Sequence, residues 1–265
     1  MSGNTSDDVQ AEAEALVDRL LTPKRRVRPR LAEPLRDAED MQVETPNGPV
    51  MAWRLGKGPA VLLVHGWDDD NCLWGPLIDK FVDMRRAVVA LDLPGHGFSP
   101  AEDPSPLAAA AALRAVAAAL GPVDAIVAHS YGCPVSILAM ADGLAIGRAA
   151  LIATPKFKSG HFWTRLEGMG ISPEVIERAK VVHAARLAER PAAPDVEEAA
   201  SRMTAKALLA HSLDDEECPP ANSQALKAIW PGAKLALADG LGHRLIAQDA
   251  AMLERIVNFI EGFDR

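Results

Sequence analysis

Six short, nearly unbroken apolar runs recur along this chain, and each ends in a glycine or a polar residue: PAVLLVHG, RRAVVALDLPG, DAIVAHS, RAALIAT, AKALLAHS and AKLALAD. A strand that is apolar at every position, and not only at alternate ones, must be covered on both faces. Helix-like stretches lie between most of the runs. One is SPLAAAAALRAVAAAL, residues 105–120, which combines strong helix formers with a closing Gly-Pro stop. Strands alternating with helices at this spacing predict an α/β fold with a mostly parallel, doubly covered sheet. Ahead of the first run, MQVET and VMAWRL read as the two arms of a hairpin around PNG.

Two segments break the rhythm. Residues 155–203 are amphipathic and helical in composition, with no convincing strand. At about 50 residues they exceed the usual strand-to-helix connection, and they predict a small helical cap inserted between two core strands. Residues 1–39 form an arm. Val9, Ala13, Leu16, Val17 and Leu20 share one helical face, and Pro23, Pro29 and Pro34 then interrupt the chain. An apolar face of this kind needs a partner surface, either the body of the protein or a second subunit in a homodimer; the sequence leaves both open. The expected core is therefore residues 40–154 and 204–265.

Composition narrows the function classes. At 265 residues the chain is long enough to bury a sizeable core without disulfides, and its formal charge of -8 argues against a general nucleic-acid surface. The run KRRVRPR at residues 24–30 is the local exception, and a solvated surface explains it as well as an anionic partner does. Cys72, Cys133 and Cys218 lack metal spacing and cannot all pair within one chain, which favours a reducing compartment. The N-terminus has no signal-peptide layout, and no apolar stretch is long enough to cross a bilayer. These features predict a cytoplasmic protein with no membrane partner.

The stretch VAHSYGC carries the chemistry. Ser130 follows an apolar strand and precedes Tyr131, Gly132 and a predicted helix, so its hydroxyl sits on a strand-to-helix turn. Such a turn needs small residues two before and two after the serine, where the doubled-back chain crowds itself. Gly132 meets the need, and Ala128 departs from the usual glycine by one methyl. A serine hydroxyl is a weak nucleophile until an imidazole takes its proton and a carboxylate fixes that imidazole. LLAHSLDDEECPP supplies Asp214 and Asp215 just beyond a late strand, and LALADGLGHRLI supplies His243 before the last helix.

Taken in order, VLLVHGW, ALDLPGHGFS, VAHSYG and the closing pair AHSLDDEECP and GLGHRLI resemble the landmarks of the α/β-hydrolase superfamily, in its group of small bacterial esterase-like serine hydrolases. The resemblance covers residues 40 to 262. It implies Ser130 as nucleophile, His243 as base and Asp215 as the carboxylate, with Asp214 as the competing acid. It also implies that the backbone N–H groups of Trp67 and Tyr131 form an oxyanion hole. Phe98, Phe157, Phe162 and Trp163 are candidate pocket residues, with Trp67 and Trp74 as further walls, although each aromatic is equally at home packed in a core. The expected substrate is a small or medium apolar carboxylic ester, and no cofactor is required.

His65, His96 and His129 read as loop braces. Neither they nor Asp68, Asp69 and Asp70 show metal-ligand spacing, so no metal is expected. The glycines of LDLPGHG lack a nucleotide-binding fingerprint, and Asp92 reads as a loop anchor. Within the same scaffold, thioester, lactone or carbon-carbon bond hydrolysis are the alternatives. A non-catalytic small-molecule binding or signalling role is the alternative of a different class.

Overall fold

The computed structural model describes residues 6–25, 29–156 and 161–263. Two compact units emerge, Met1–Pro23 with Phe157–Ala193, and Lys24–Lys156 with Pro194–Arg265.

The larger unit is built on eight strands: β1 (Glu39–Val43), β2 (Val50–Leu55), β3 (Ala60–Val64), β4 (Ala87–Leu91), β5 (Val123–His129), β6 (Arg148–Ile152), β7 (Lys206–Ser212) and β8 (Lys234–Ala238). They form one sheet in the order β1-β2-β4-β3-β5-β6-β7-β8. The β1–β2 hairpin and the β2–β4 pair are antiparallel, and every other pair is parallel. The expected hairpin closes with Val43 opposite Val50.

Seen in chain order, the helices are α1 (Ser6–Leu21), α2 (Gly75–Asp83), α3 (Pro106–Leu120), α4 (Gly132–Ala141), α5 (His161–Gly168), α6 (Pro173–Ala188), α7 (Val196–Ser201), α8 (Ala221–Ile229), α9 (Gly242–Leu245) and α10 (Ala250–Glu261). The apolar runs are explained by coverage on both faces. Ala60, Leu62 and Val64 of β3 point into a core shared with α3, α4, α7 and α8. Val61 and Leu63, one step away along the pleat, point into the opposite core with α2 and α10. Helix α3 starts where Ser105 caps the Ala108 N–H, and its small alanine face lies against α4. The fold is thus a mostly parallel, doubly covered sheet with a helical insertion between β6 and β7.

In the smaller unit, α1 packs against α6. Its predicted apolar face is the one used: Ala13, Leu16 and Val17 are buried with Leu166, Val175, Ile176 and Ala179. The arm therefore does not act as one piece. Its helix is spent within the chain, and residues 24–39 run with the larger unit. The insertion also ends earlier than residue 203, because Ala199 and Ala200 of α7 are buried in the core beside α4.

The basic run at 24–30 is partly absorbed in the same way. The Lys24 N–H donates to Asp68 Oδ1 at 2.6 Å, and the Arg25 guanidinium donates to the carbonyls of Gly95 and Ser99 at 3.3 and 2.8 Å. These contacts tie the strap to the loops that follow β3 and β4. Arg26, Val27 and Arg28 lie outside the described residues.

Candidate active site

Ser130 stands at the end of β5 with φ of 49°, a left-handed conformation that L residues adopt only under constraint. The constraint comes from both neighbours in the sheet. Its N–H donates to the Ile152 carbonyl of β6 at 2.9 Å, and its own carbonyl accepts from Cys133 N–H at 2.9 Å as α4 begins. The start of α4 is pressed onto the end of β3: a Cβ on Gly132 would lie 2.4 Å from the Val64 carbonyl oxygen and 2.6 Å from that of His65. Gly66 is confined from the other side, since a Cβ there would meet the Ser130 Cβ at 3.0 Å and His129 Nδ1 at 3.1 Å. Ala128, buried between Val64 of β3 and Leu151 of β6, carries its methyl within the core. The departure from glycine leaves the turn intact.

The loops after β7 and β8 bring the partners in. His243 Nε2 lies 2.9 Å from Ser130 Oγ, and His243 Nδ1 lies 2.8 Å from Asp215 Oδ2. Asp215 Oδ1 accepts from the backbone N–H groups of Glu217 and Cys218 at 2.9 and 2.8 Å. His211 Nε2 approaches Oδ2 at 3.2 Å and also the Cys218 carbonyl at 2.7 Å. A carbonyl only accepts, so this nitrogen carries a proton, and it donates toward Asp215 as well. Burial alone would raise the Asp215 pKa, but hydrogen bonds from His211, His243 and Cys218 outweigh it and hold the carboxyl well below its usual range. An ionised Asp215 accepts only, which puts the His243 proton on Nδ1 and leaves Nε2 free to take one from the serine hydroxyl.

Asp214 faces elsewhere. It accepts from the Ser212 hydroxyl and from Gly242 N–H at 3.1 Å, and so pins the loop that carries His243 without touching the imidazole. The two adjacent carboxylates separate into one that meets the ring and one that holds its loop. His211 lies within the AHSLDDEECP stretch, four residues before Asp215. Its contact with Asp215 depends on the turn between them.

The remaining predicted residues divide between loop braces, the core and the smaller unit. His65 donates through Nδ1 to the Gly66 carbonyl at 2.8 Å and accepts the Leu93 N–H at 2.9 Å, bracing two loops. His96 holds the Pro94 carbonyl at 2.8 Å. Asp92 accepts from the backbone of Asn71 and Phe98 at 2.7 and 2.8 Å, as a loop anchor should. Trp67 and Tyr131 are brought together, their rings edge to face with centroids 5.2 Å apart. Phe98 lies edge-on to Trp53 and remains 39% exposed. Trp74 is fully buried in the core. Trp163 packs within the smaller unit, its ring 5.6 Å from that of His183. Phe157 lies outside the described residues, as does the side chain of Phe162. Among the described residues no cluster of three or more metal-ligating side chains is found.

A serine on a strained turn, an imidazole within reach of its hydroxyl and an ionised carboxylate behind the imidazole, all at one edge of this sheet, define the serine-dependent class of the hydrolase fold. Residues 61–256 match the alpha/beta hydrolase family, and the chain belongs to that family. It is similar to the pimeloyl-[acyl-carrier protein] methyl ester esterase of Xanthomonas campestris pv. campestris, with 34% identity over 125 residues, 47% of this chain and 45% of that one. The chain spans about half the length of the curated relatives it matches. Among solved structures, an esterase from Pyrococcus furiosus aligns with a TM-score of 0.74 at 16% identity, covering 91% of this chain and 97% of the other. An esterase from Exiguobacterium antarcticum aligns with a TM-score of 0.68 at 15% identity, covering 84% and 100%. At these identities the likeness to solved structures is one of fold.

The strained turn predicts a stability difference between two variants that lack the hydroxyl. Ser130→Gly and Ser130→Ala both remove the hydroxyl, but only glycine relieves the positive φ. Ser130→Gly should be the more stable by about 1 kcal/mol in chemical denaturation, and equal stability would show that the turn stores no strain.

A second prediction concerns acid stability. Burial, reinforced by the neighbouring His65, lowers the His96 pKa to about 3, and burial next to His243 lowers that of His129 to about 4. Unfolded histidines take up protons near pH 6.5, so below that value the unfolded state binds more protons than the native one. Stability is complete above pH 6.5 and falls as the pH drops toward 4, by up to about 1.4 kcal/mol per pH unit for each ring. His96→Asn retains a donor for the Pro94 carbonyl. Its urea midpoints between pH 4.5 and 6.5 should fall less steeply than those of the wild type, and an unchanged slope would contradict the assignment.

Proposed function

We propose that this protein is a serine hydrolase that cleaves small or medium apolar carboxylic esters through an acyl-enzyme. The observation that carries the reading is the continuous relay from Ser130 Oγ to His243 Nε2 at 2.9 Å and from His243 Nδ1 to Asp215 Oδ2 at 2.8 Å. Ser130 Oγ attacks the ester carbonyl while His243 Nε2 takes the hydroxyl proton, and the carbonyl electrons move onto oxygen. His243 then gives that proton to the leaving alcohol oxygen as the carbon-oxygen bond breaks. Water attacks the resulting serine ester, delivers a proton to His243, and the acid departs as Oγ recovers its hydrogen. Asp215 orients the ring and stabilises its charged form throughout.

The backbone N–H groups of Tyr131 and Trp67 hold the oxyanion. Tyr131 opens the first turn of α4 directly after the nucleophile, and Trp67 follows Gly66, which sits against Ser130. Phe98, exposed beside the loop anchored by Asp92, offers an apolar wall. An anionic substrate is disfavoured because Lys156, one of the few cations near the start of the insertion, is already 3.0 Å from Glu197. The likeness to an enzyme named for a methyl ester of a carrier-bound acyl chain supports the ester class. The assembled relay favours catalysis over a purely ligand-binding role.

Among the described residues no helix is long and apolar enough to cross a membrane. The scattered thiols of Cys72, Cys133 and Cys218 support a cytoplasmic setting. The net charge of -8 and the in-chain contacts of Lys24 and Arg25 count against nucleic acid as a partner. A homodimer through the arm would have to use the polar side of α1, since its apolar side is buried in the chain.

Turnover of p-nitrophenyl acetate, butyrate, hexanoate and octanoate tests the reading. Ser130→Ala should lose at least about 10⁴-fold in kcat, and Asp215→Asn about 10³ to 10⁴-fold, while Asp214→Asn loses no more than about tenfold. If Asp214→Asn proves the more damaging of the two, the carboxylate has been misassigned. Wild-type rates in Ser130→Ala would end the mechanism.

A further inference from the structure

One residue beside each reacting group, and touching none of the reacting atoms, comes together with the others in a cluster behind the site. His129 precedes the nucleophile, Arg244 follows the base, and Asp69 lies two residues beyond Trp67. The buried ring of His129 places Nε2 2.8 Å from the backbone carbonyl of His243. Because a carbonyl only accepts, Nε2 is the protonated nitrogen and donates to it. The two imidazole rings lie 4.9 Å apart, tilted by 49°. On its other side the unprotonated His129 Nδ1 lies 3.9 Å from Asp69 Oδ2 and makes no hydrogen bond to it, so Asp69 forms a separate tie, its Oδ1 accepting from Arg244 Nη1 at 2.7 Å. The Asp69 N–H is bonded in turn to the Gly66 carbonyl at 3.3 Å.

We propose that His129, Asp69 and Arg244 form a clamp that fixes the backbone of His243, and hence its Nε2, against Ser130 and the Trp67 loop. His129 is its central positioning residue. This inference rests on Ser130 and His243 being nucleophile and base. The need for such a clamp follows from local structure. His243 lies in α9, a four-residue helix whose entry contains Gly240 and Gly242, both at positive φ, so the segment does little to fix its own backbone. A misplacement of about 1 Å between reacting groups costs on the order of 10²-fold in rate. The clamp joins three parts of the chain that are remote in sequence, the end of β5 and the loops after β3 and β8. Burial keeps His129 neutral at working pH, with its single proton committed to the His243 carbonyl.

The second-order rate of inactivation by a fluorophosphonate reports Ser130 activation without depending on substrate fit, and kcat and KM for p-nitrophenyl butyrate separate positioning from binding. His129→Phe should lower both the inactivation rate and kcat by about 10 to 100-fold, with KM within about threefold of wild type. His129→Gln can place an amide N–H where the imidazole Nε2 stood, and should recover most of that loss. Since His129→Phe alters a buried site, the outer side of the clamp is tested in parallel. Asp69→Asn and Arg244→Gln should each slow inactivation by about three- to tenfold, and the double variant should be no slower than the slower single one, because both break one ion pair. If His129→Phe does not fold, this pair decides the matter. Rates within twofold of wild type in the Asp69 and Arg244 variants, or a His129→Gln enzyme as slow as His129→Phe, would overturn the clamp. A wild-type protein that the fluorophosphonate does not modify would instead overturn the nucleophile and base assignment on which it rests.

Discussion

The contact on which the site depends is the approach of α4 to the end of β3. With a glycine at 132 the helix start can rest on the carbonyls of Val64 and His65; a single added carbon would lie 2.4 and 2.6 Å from their oxygens, closer than side chains approach. From that approach the rest follows. The chain must turn sharply between β5 and α4, Ser130 is forced to positive φ, and its hydroxyl is lifted off the sheet edge toward the loops after β7 and β8. Gly66 completes the arrangement from the β3 side by letting backbone lie where any side chain would collide with Ser130 or His129. The strain is sustained by the two apolar cores that hold the strands in register on either side.

Electrostatics then determine what each group in the site can do. Asp215 is buried, which by itself would favour the neutral acid, yet two backbone N–H groups and two histidines donate to it. Four donors satisfy a carboxylate that has lost its water, and the charge persists. The fixed charge determines the tautomer of His243, and the tautomer determines that Nε2 faces Ser130 as an acceptor. His65, His96 and His129 are buried as well, and each donates to a backbone carbonyl and braces a loop; burial keeps the rings of His96 and His129 neutral.

Much of this was legible in the sequence because burial on two faces writes itself as unbroken apolar runs. β3, with all five positions buried, is the clearest case. The turn at Ser130 was legible through Gly132, and the insertion through its lack of strand character. The carboxylate was legible as Asp215 through the closing motif, with Asp214 as its competitor, and the contact of Asp215 with His243 and of Asp214 with Ser212 and Gly242 tells them apart. Two things were not legible. The partner of the α1 apolar face could not be read, because periodicity says that a face is apolar and not what covers it; α6 covers it. The meeting of Asp69, His129 and Arg244 is a property of loop geometry, and residues so far apart in sequence carry no mutual signal.

The central claim is that Ser130 is acylated during turnover. Mixing the wild-type protein with p-nitrophenyl butyrate, quenching in acid within the first turnovers and mapping the modified peptide by mass spectrometry tests it directly. The account predicts a butyryl group on the peptide containing Ser130 and a burst of nitrophenol that matches the enzyme concentration. Turnover with no acyl group at Ser130, or with the acyl group on another residue, would contradict it.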